Sequence, residues 1–118
     1  MNSDNISFVI PNYNGERTIE SAVKSILNQN YNGKIEVIVV DDGSKDKSIK
    51  VIESKFNKDK RIRLIKNEKN LGLANSLNRG VKNSKYELIV ILMCDCELAS
   101  KDWLKKIVNI INSDKKIG

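Results

Sequence analysis

Two adjacent carboxylates, Asp41 and Asp42, end the apolar run EVIVVDDGS at residues 36–44 and lead directly into Gly43. Such a pair at a buried strand end is costly unless hydrogen-bond donors, a cation or helix N-terminal amides offset its repulsion. A ligand carrying N–H or hydroxyl donors meets that need, and Asp42 is the carboxylate expected to face it. The other role open to the pair is to cap the following helix together with Ser44. That role falls to Asp41, which braces the turn.

Three further clusters bear on the same chemistry. In IPNYNGE, residues 10–16, Pro11 is expected to stop strand pairing, Asn12 and Tyr13 to project over the sheet edge, and Gly15 to allow a turn into a helix beginning near Glu16. Tyr13 offers a face on which a flat heterocycle stacks, although a plain strand-to-helix turn has the same composition. In ELIVILMCDCE, residues 87–97, Asp95 and Glu97 follow a buried run. Carboxylates at a loop mouth suit Mg²⁺ or Mn²⁺, which prefer oxygen ligands and keep waters or phosphate oxygens; a solvated acidic turn reads the same way. In NEKNLGLANSLNRG, residues 67–80, Gly72 permits a tight turn into a helix whose N-terminal amides face phosphate, or Asn70 and Gly72 are turn formers only. Lys69 and Arg79 pair with a diphosphate or are surface charge, and Arg79 is read as surface charge.

The elements that must position these residues follow from periodicity. Four short apolar runs, Ile6 to Ile10, Ile35 to Val40, Ile62 to Ile65 and Leu88 to Leu92, read as strands alternating with four helical segments. Ile19, Ala22, Val23, Ile26 and Leu27 form one apolar stripe, and Ile49, Ile52 and Phe56 a thinner one. Leu73, Leu77 and Val81 give a third. Trp103, Leu104, Ile107, Val108 and Ile111 give a fourth, with Ser100 and Asp102 as cap and acidic first turn. Runs rich in Val and Ile with little polar alternation imply strands buried on both faces, as in a parallel α/β sheet covered by helices. In such sheets ligands bind beyond the carboxyl ends of the strands, so the clusters after Ile10, Val40 and Leu92 converge on one crevice suited to a nucleotide-linked ligand.

Bulk properties bound the possibilities. A chain of 118 residues fits a single core or part of one, and composition argues against disorder. The net charge of +6 is local: residues 45–69 carry ten Lys or Arg against four Asp or Glu, and the remainder balances. Such a band faces anionic lipid or nucleic acid, or is the solvated face of a helix. Nucleic-acid binding is set aside because Phe56 is the only aromatic residue in the band. Cys94 and Cys96 are poorly spaced to bridge each other, which places the chain in a reducing compartment, expected to be the cytoplasm. With no His in the sequence, they do not complete a zinc site. No apolar run reaches a membrane span, so any membrane association is expected to be peripheral.

The ordered segments ISFVIPNYNGERTIESAVKSILNQNY, IEVIVVDDGSKDKS, IRLIKNEKNLGLANSLNRGV and YELIVILMCDCELASKDWL resemble the N-terminal, nucleotide-sugar-binding half of family 2 glycosyltransferases, inverting enzymes with the GT-A fold. The resemblance covers nearly the whole chain. It implies a Rossmann-like, mostly parallel sheet of about four strands in the order 3-2-1-4, with residues 1–118 forming the donor-binding portion and the acceptor-binding half absent. It further implies that Pro11, Tyr13 and Asp42 contact the base and ribose, that Asp41 and Glu16 support the pocket, and that Asp95 binds the metal bridging the donor diphosphate. The implied partners are a nucleoside diphosphate sugar and a glycan, lipid-linked or protein acceptor, in polysaccharide or glycolipid biosynthesis.

Two departures stand out. Aligned on the family's strand and Asp-x-Asp motif, the chain has Met93 at the first Asp, Cys94 in the middle and Asp95 at the second. One metal ligand is therefore missing, with Glu97 available to help; a second register reads Asp95-Cys96-Glu97 as the motif. In addition, nothing in the chain matches the family's catalytic base, and no catalytic residue is assigned. Two other classes remain for comparison: a non-catalytic nucleotide-binding module with a degenerate metal site, and a nucleotidyltransferase. The latter lacks its glycine-rich basic loop, since PNYNGERT holds one glycine and one arginine.

Overall fold

The computed structural model describes residues 4–117, with side-chain surroundings given through residue 113. Its elements alternate as expected: β1 (Ile6–Asn12), α1 (Ile19–Leu27), β2 (Ile35–Asp41), α2 (Ser48–Lys55), β3 (Ile62–Lys66), α3 (Leu73–Lys82), β4 (Leu88–Ile91) and α4 (Trp103–Ile117). All strand pairs are parallel and the sheet order is β3-β2-β1-β4. Every residue of the two central strands is buried, whereas β3 and β4 are only half-buried. Burial on both faces therefore holds for β1 and β2 and fails at the edges, where one flank has no neighbouring strand.

Alternation along the strands sends Phe8, Ile10, Val37 and Val39 to one face, where they meet α1, Ile52 and Phe56 near α2, and Leu104 and Val108 of α4. Val9, Ile38 and Val40 point to the other face, which Leu77 of α3 covers. The α1 stripe is buried as its period predicts, with Ile19, Ala22, Val23 and Ile26 all inside. On α2, Val51 joins Ile52 against the core, and Ile49 is only half-buried. Asp102 precedes α4, its carbonyl accepting the Lys106 N–H, so it lies outside the helical first turn.

The expected α3 stripe needs correction. Leu77 packs on the sheet as expected, but Leu73 and Val81 are exposed, and the residues buried beside Leu77 are Ser76 and Gly80. A Cβ on Gly80 would lie 2.4 Å from Val9 Cγ1 and 3.2 Å from Val40 Cγ2, so the helix backbone rests almost directly on the strands. Small residues make that approach possible, and the larger ones are pushed to the flanks.

The expectation that Pro11 stops strand pairing holds toward β4 and fails toward β2. Strand β1 continues through it to Asn12, in register with Val40 and Asp41 of β2. Asn12 O accepts from Asp42 N while Val9 O accepts from Leu92 N, so odd-numbered β1 residues address β4. Pairing with β4 ends at Val9 opposite Ile91. Pro11, without an N–H, thus faces the β4 side, where the ladder ends, and the ladder to β2 loses no bond. Among the described residues, no helix is long and apolar enough to cross a membrane.

Candidate functional site

At the carboxyl ends of β1 and β2 lies a cavity of about 320 Å³. Of the residues expected at the site, Pro11, Asn12, Tyr13, Asp42, Asn70 and Gly72 line it; Leu73, Ser76, Met93 and Cys94 complete the wall. Asp41, Glu16, Asp95 and Glu97 do not.

Asp42 is 6% exposed and is gripped from three sides. Oδ1 accepts from Leu71 N at 2.7 Å and Asn67 Nδ2 at 3.0 Å, and Oδ2 from Gly72 N at 3.0 Å. Burial pushes this carboxyl up, but the Leu71 N–H, the Asn67 amide, the Gly72 N–H and the Ser76 hydroxyl outweigh it and hold Asp42 below the usual aspartate range. The pair's repulsion is therefore offset by protein donors before any ligand arrives. Gly72, at φ 94°, adopts a backbone conformation that glycine favours, and this turns its N–H onto Asp42. The amides of Leu71 and Gly72, just before α3, are thus spent on a protein carboxylate rather than open to phosphate.

Asp41 has the bracing role. Its Oδ1 accepts from Asn12 Nδ2 at 2.9 Å and its Oδ2 from Ser44 N at 2.9 Å. The capping of α2 expected from this pair with Ser44 is not made: the N-cap position is Lys47, which makes no side-chain cap, and the first helical N–H, that of Ser48, is met by Asp46 Oδ1, which also receives Ser48 Oγ. The helix begins at Ser48, four residues beyond Ser44, so the nearer Asp46 reaches its first turn.

Asn12 is 2% exposed, and its Nδ2 also reaches Ser48 Oγ at 2.9 Å and Ser44 Oγ at 3.3 Å. The side chain ties β1 to the loop after β2 while forming part of the cavity wall. Among the described residues, its Oδ1 has no hydrogen-bond partner. Rotating the amide would set that oxygen against the Asp41 carboxylate, so the orientation is fixed. Glu16 works in the same seam from outside the cavity: its N donates to Asp46 Oδ2 at 3.0 Å and its Oε1 accepts from Lys47 N at 3.1 Å. Asn14 N to Ser44 Oγ and Lys45 N to Asn14 Oδ1 add two more stitches. The two loops are one unit.

Tyr13 stands at the rim, 48% exposed. Asn70 lines the cavity and accepts from Gly72 N at 3.2 Å. Arg79, read from the sequence as surface charge, donates to Asn67 Oδ1 at 2.6 Å and Lys66 O at 3.1 Å, steadying the amide that holds Asp42. Sequence reasoning passed over Asn67 and Ser76. A polar residue directly after β3 was the available signal for Asn67.

Asp95 and Glu97 are exposed just beyond the wall formed by Met93 and Cys94. Cys96 Sγ contacts Asp95 Oδ1 at 3.6 Å. Among the described residues, no three His, Cys, Asp or Glu side chains are grouped to hold an ion. A protein-only cage is thus lacking, but one or two exposed carboxylates beside a cavity fit Mg²⁺ or Mn²⁺, whose remaining positions waters and phosphate oxygens fill. Burial raises the Cys94 thiol above its ordinary value; the Tyr13 N–H opposes this, and the charge of Asp95 adds to it. Both cysteines are free thiols.

The sequence model of Glycosyl transferase family 2 matches residues 7–118. An uncharacterized glycosyltransferase of Haemophilus influenzae is 35% identical over 95% of the chain and 34% of its own length. The poly-beta-1,6-N-acetyl-D-glucosamine synthase of Staphylococcus epidermidis is 35% identical over 78% of the chain and 22% of its own. Among solved structures, S. aureus TarS 1-349 in complex with UDP-GlcNAc superposes with a TM-score of 0.83 at 26% identity, covering 92% of the chain and 31% of TarS 1-349. The chain thus spans about a third or less of each of these proteins. The strand order, the GT-A likeness and the family match agree, and the chain belongs to glycosyl transferase family 2.

Proposed function

We propose that residues 1–118 form the donor-binding part of a glycosyltransferase that moves a sugar from a nucleoside diphosphate to an acceptor hydroxyl with inversion. The observation that carries this reading is Asp42, fixed as an anion in the wall of the strand-end cavity with Tyr13 standing over the rim. Tyr13 stacks on the base, and Asp42 receives donors from the nucleoside. Asn12, Asp41 and Glu16 hold the two loops at the spacing that the ligand needs. The TarS complex with UDP-GlcNAc supports a donor of this class.

Asp95, with Glu97 beside it, would hold a divalent ion, which when bound supplies Lewis-acid stabilisation to the departing diphosphate. Acceptor binding and deprotonation of the acceptor hydroxyl are assigned to a part of the parent protein outside this sequence. The acceptor is a glycan, a lipid-linked sugar or a protein.

Titration of the chain with UDP, GDP and dTDP, each with and without Mn²⁺, tests the proposal. Metal-dependent binding of one diphosphate, lost in Asp95→Ala, is expected. Sugar transfer by residues 1–118 alone would refute the division of labour. Met93, standing where the family carries an acid, favours a second reading as a non-catalytic nucleotide-binding module; binding unaffected by metal and by Asp95→Ala would select it.

A further inference from the structure

The opposite pole of the sheet, where the strands begin, carries a second cavity of about 310 Å³. Lys34, Lys60, Arg61, Arg63 and Lys85 surround it, and among the described residues the only carboxylate in its lining is Glu36. That carboxylate is already committed: it accepts from Ser7 Oγ at 2.7 Å, Lys85 N at 2.7 Å and Arg63 Nη1 at 3.2 Å. Arg61 is likewise committed, forking onto Asp59 at 2.8 and 3.0 Å. Among the described residues, no ion pair involves Lys34, Lys60 or Lys85. Three lysines from three separate segments therefore line one hollow without an ion-pair partner among the described residues, although Asp4 and Glu87 line the adjoining hollow next to Lys85.

Tyr31 and Tyr86 supply the apolar walls, and the Tyr31 hydroxyl is pinned to the carbonyl of Asp4. A neighbouring hollow shares Lys60 and Arg61 and adds Lys55 and Lys58, with Asp59 taken up by Arg61, so net positive charge continues outward from the cavity. The basic excess of residues 45–69 is thus partly gathered at one place. From Glu36 to Asp42 the central strand rises about 20 Å, which separates this cavity from the donor site by the height of the sheet.

We propose that this strand-start cavity binds a phosphate-bearing anion, independently of the donor site. A phosphate offers several oxygens to Lys34, Lys60 and Lys85 at once, and the tyrosines flank the group that carries it. The shared chemistry is a phosphate ester, whether presented by an anionic lipid headgroup or by a soluble molecule. Binding of either kind weakens as salt screens the lysines.

The test uses the chain with two probes: phosphatidylcholine vesicles with and without phosphatidylglycerol, and soluble glycerol 3-phosphate. Co-sedimentation reads the first, and amide chemical shifts read the second. Two triple variants are compared, Lys34→Glu/Lys60→Glu/Lys85→Glu and, at the opposite, strand-end pole, Lys45→Glu/Lys47→Glu/Lys50→Glu. Three changes of two charge units each take +6 to zero in both. Wild type is expected to bind at least one probe, with soluble-probe shifts centred on Lys34, Lys60 and Lys85. The first triple should weaken binding by about tenfold or more, and the second far less. Vesicle binding alone identifies a lipid headgroup as the source; glycerol 3-phosphate binding identifies a soluble one. The proposal is overturned if neither probe binds, if both triples lose binding equally, or if the shifts fall only at the donor cavity.

Discussion

Asp42 receives hydrogen bonds from the backbone of Leu71 and Gly72 and from the Asn67 amide, residues that lie 25 to 30 positions away in sequence. Asp42→Asn keeps the volume but turns one oxygen into a donor facing another N–H, leaving buried groups unpaired. A loss of about 2 to 3 kcal/mol in urea unfolding is expected, together with loss of nucleotide binding. Asn67→Ala provides the contrast: Asn67 does not line the cavity, so it should lower stability while leaving part of the nucleotide affinity in place. Equal loss of affinity in both variants would mean that Asp42 acts only by shaping the loop. The adjacent Asp41 and Asp42 could be singled out from sequence because two acids after an apolar run demand donors. The identity of those donors was not legible, since Asn67, Leu71 and Gly72 reach Asp42 only through the fold.

Helix α3 shows how periodicity misleads when a helix sits unusually close to a sheet. Counting apolar residues selects Leu73, Leu77 and Val81; of these only Leu77 packs on the sheet, and the fully buried positions are Ser76 and Gly80. The strands β1 and β2 were legible because seven consecutive buried residues leave no competing face. Gly80→Ala distinguishes proximity from propensity. Alanine gains about 1 kcal/mol of helix propensity, yet its Cβ would press on two β-branched strand residues that have little freedom to turn away. Overpacking of about 1 to 3 kcal/mol should prevail, seen as a lower urea midpoint. A rise in that midpoint would show that the helix can lift from the sheet at little cost.

Glu36 links Ser7 of β1, Arg63 of β3 and the Lys85 N–H before β4. Burial raises its carboxyl, but the Lys85 N–H, the Ser7 hydroxyl and Arg63 together bring it below the ordinary glutamate value of 4.5. The native state thus binds fewer protons than the unfolded chain. Its stabilisation is complete above that value and is lost as pH falls through the lower folded value. Melting temperatures measured from about pH 7 to about pH 3 should fall on acidification, and more shallowly in Glu36→Gln. An identical slope in the variant would assign acid unfolding to other carboxylates.

Across the whole molecule, the donor cavity and the strand-start cavity are joined by the same two buried strands, so a ligand at either pole draws on the stability of the entire sheet. A ligand that binds only the folded chain adds about 2.7 kcal/mol at a concentration one hundred times its dissociation constant. For a domain of this size, that corresponds to a rise in Tm of about 10 °C. The preferred nucleoside diphosphate is expected to produce such a rise. Tyr13→Ala should leave the unliganded Tm nearly unchanged, because the ring stands at the rim with about half its surface in solvent. The same variant should reduce the ligand-induced rise, because base stacking contributes about 1 to 3 kcal/mol. Reversing Lys34, Lys60 and Lys85 should leave the nucleotide-induced rise intact, since they lie at the other end of the strands. A lower unliganded Tm in Tyr13→Ala with an undiminished nucleotide shift would make Tyr13 a structural rim residue and move recognition of the base to Pro11, Asn70 and Asp42.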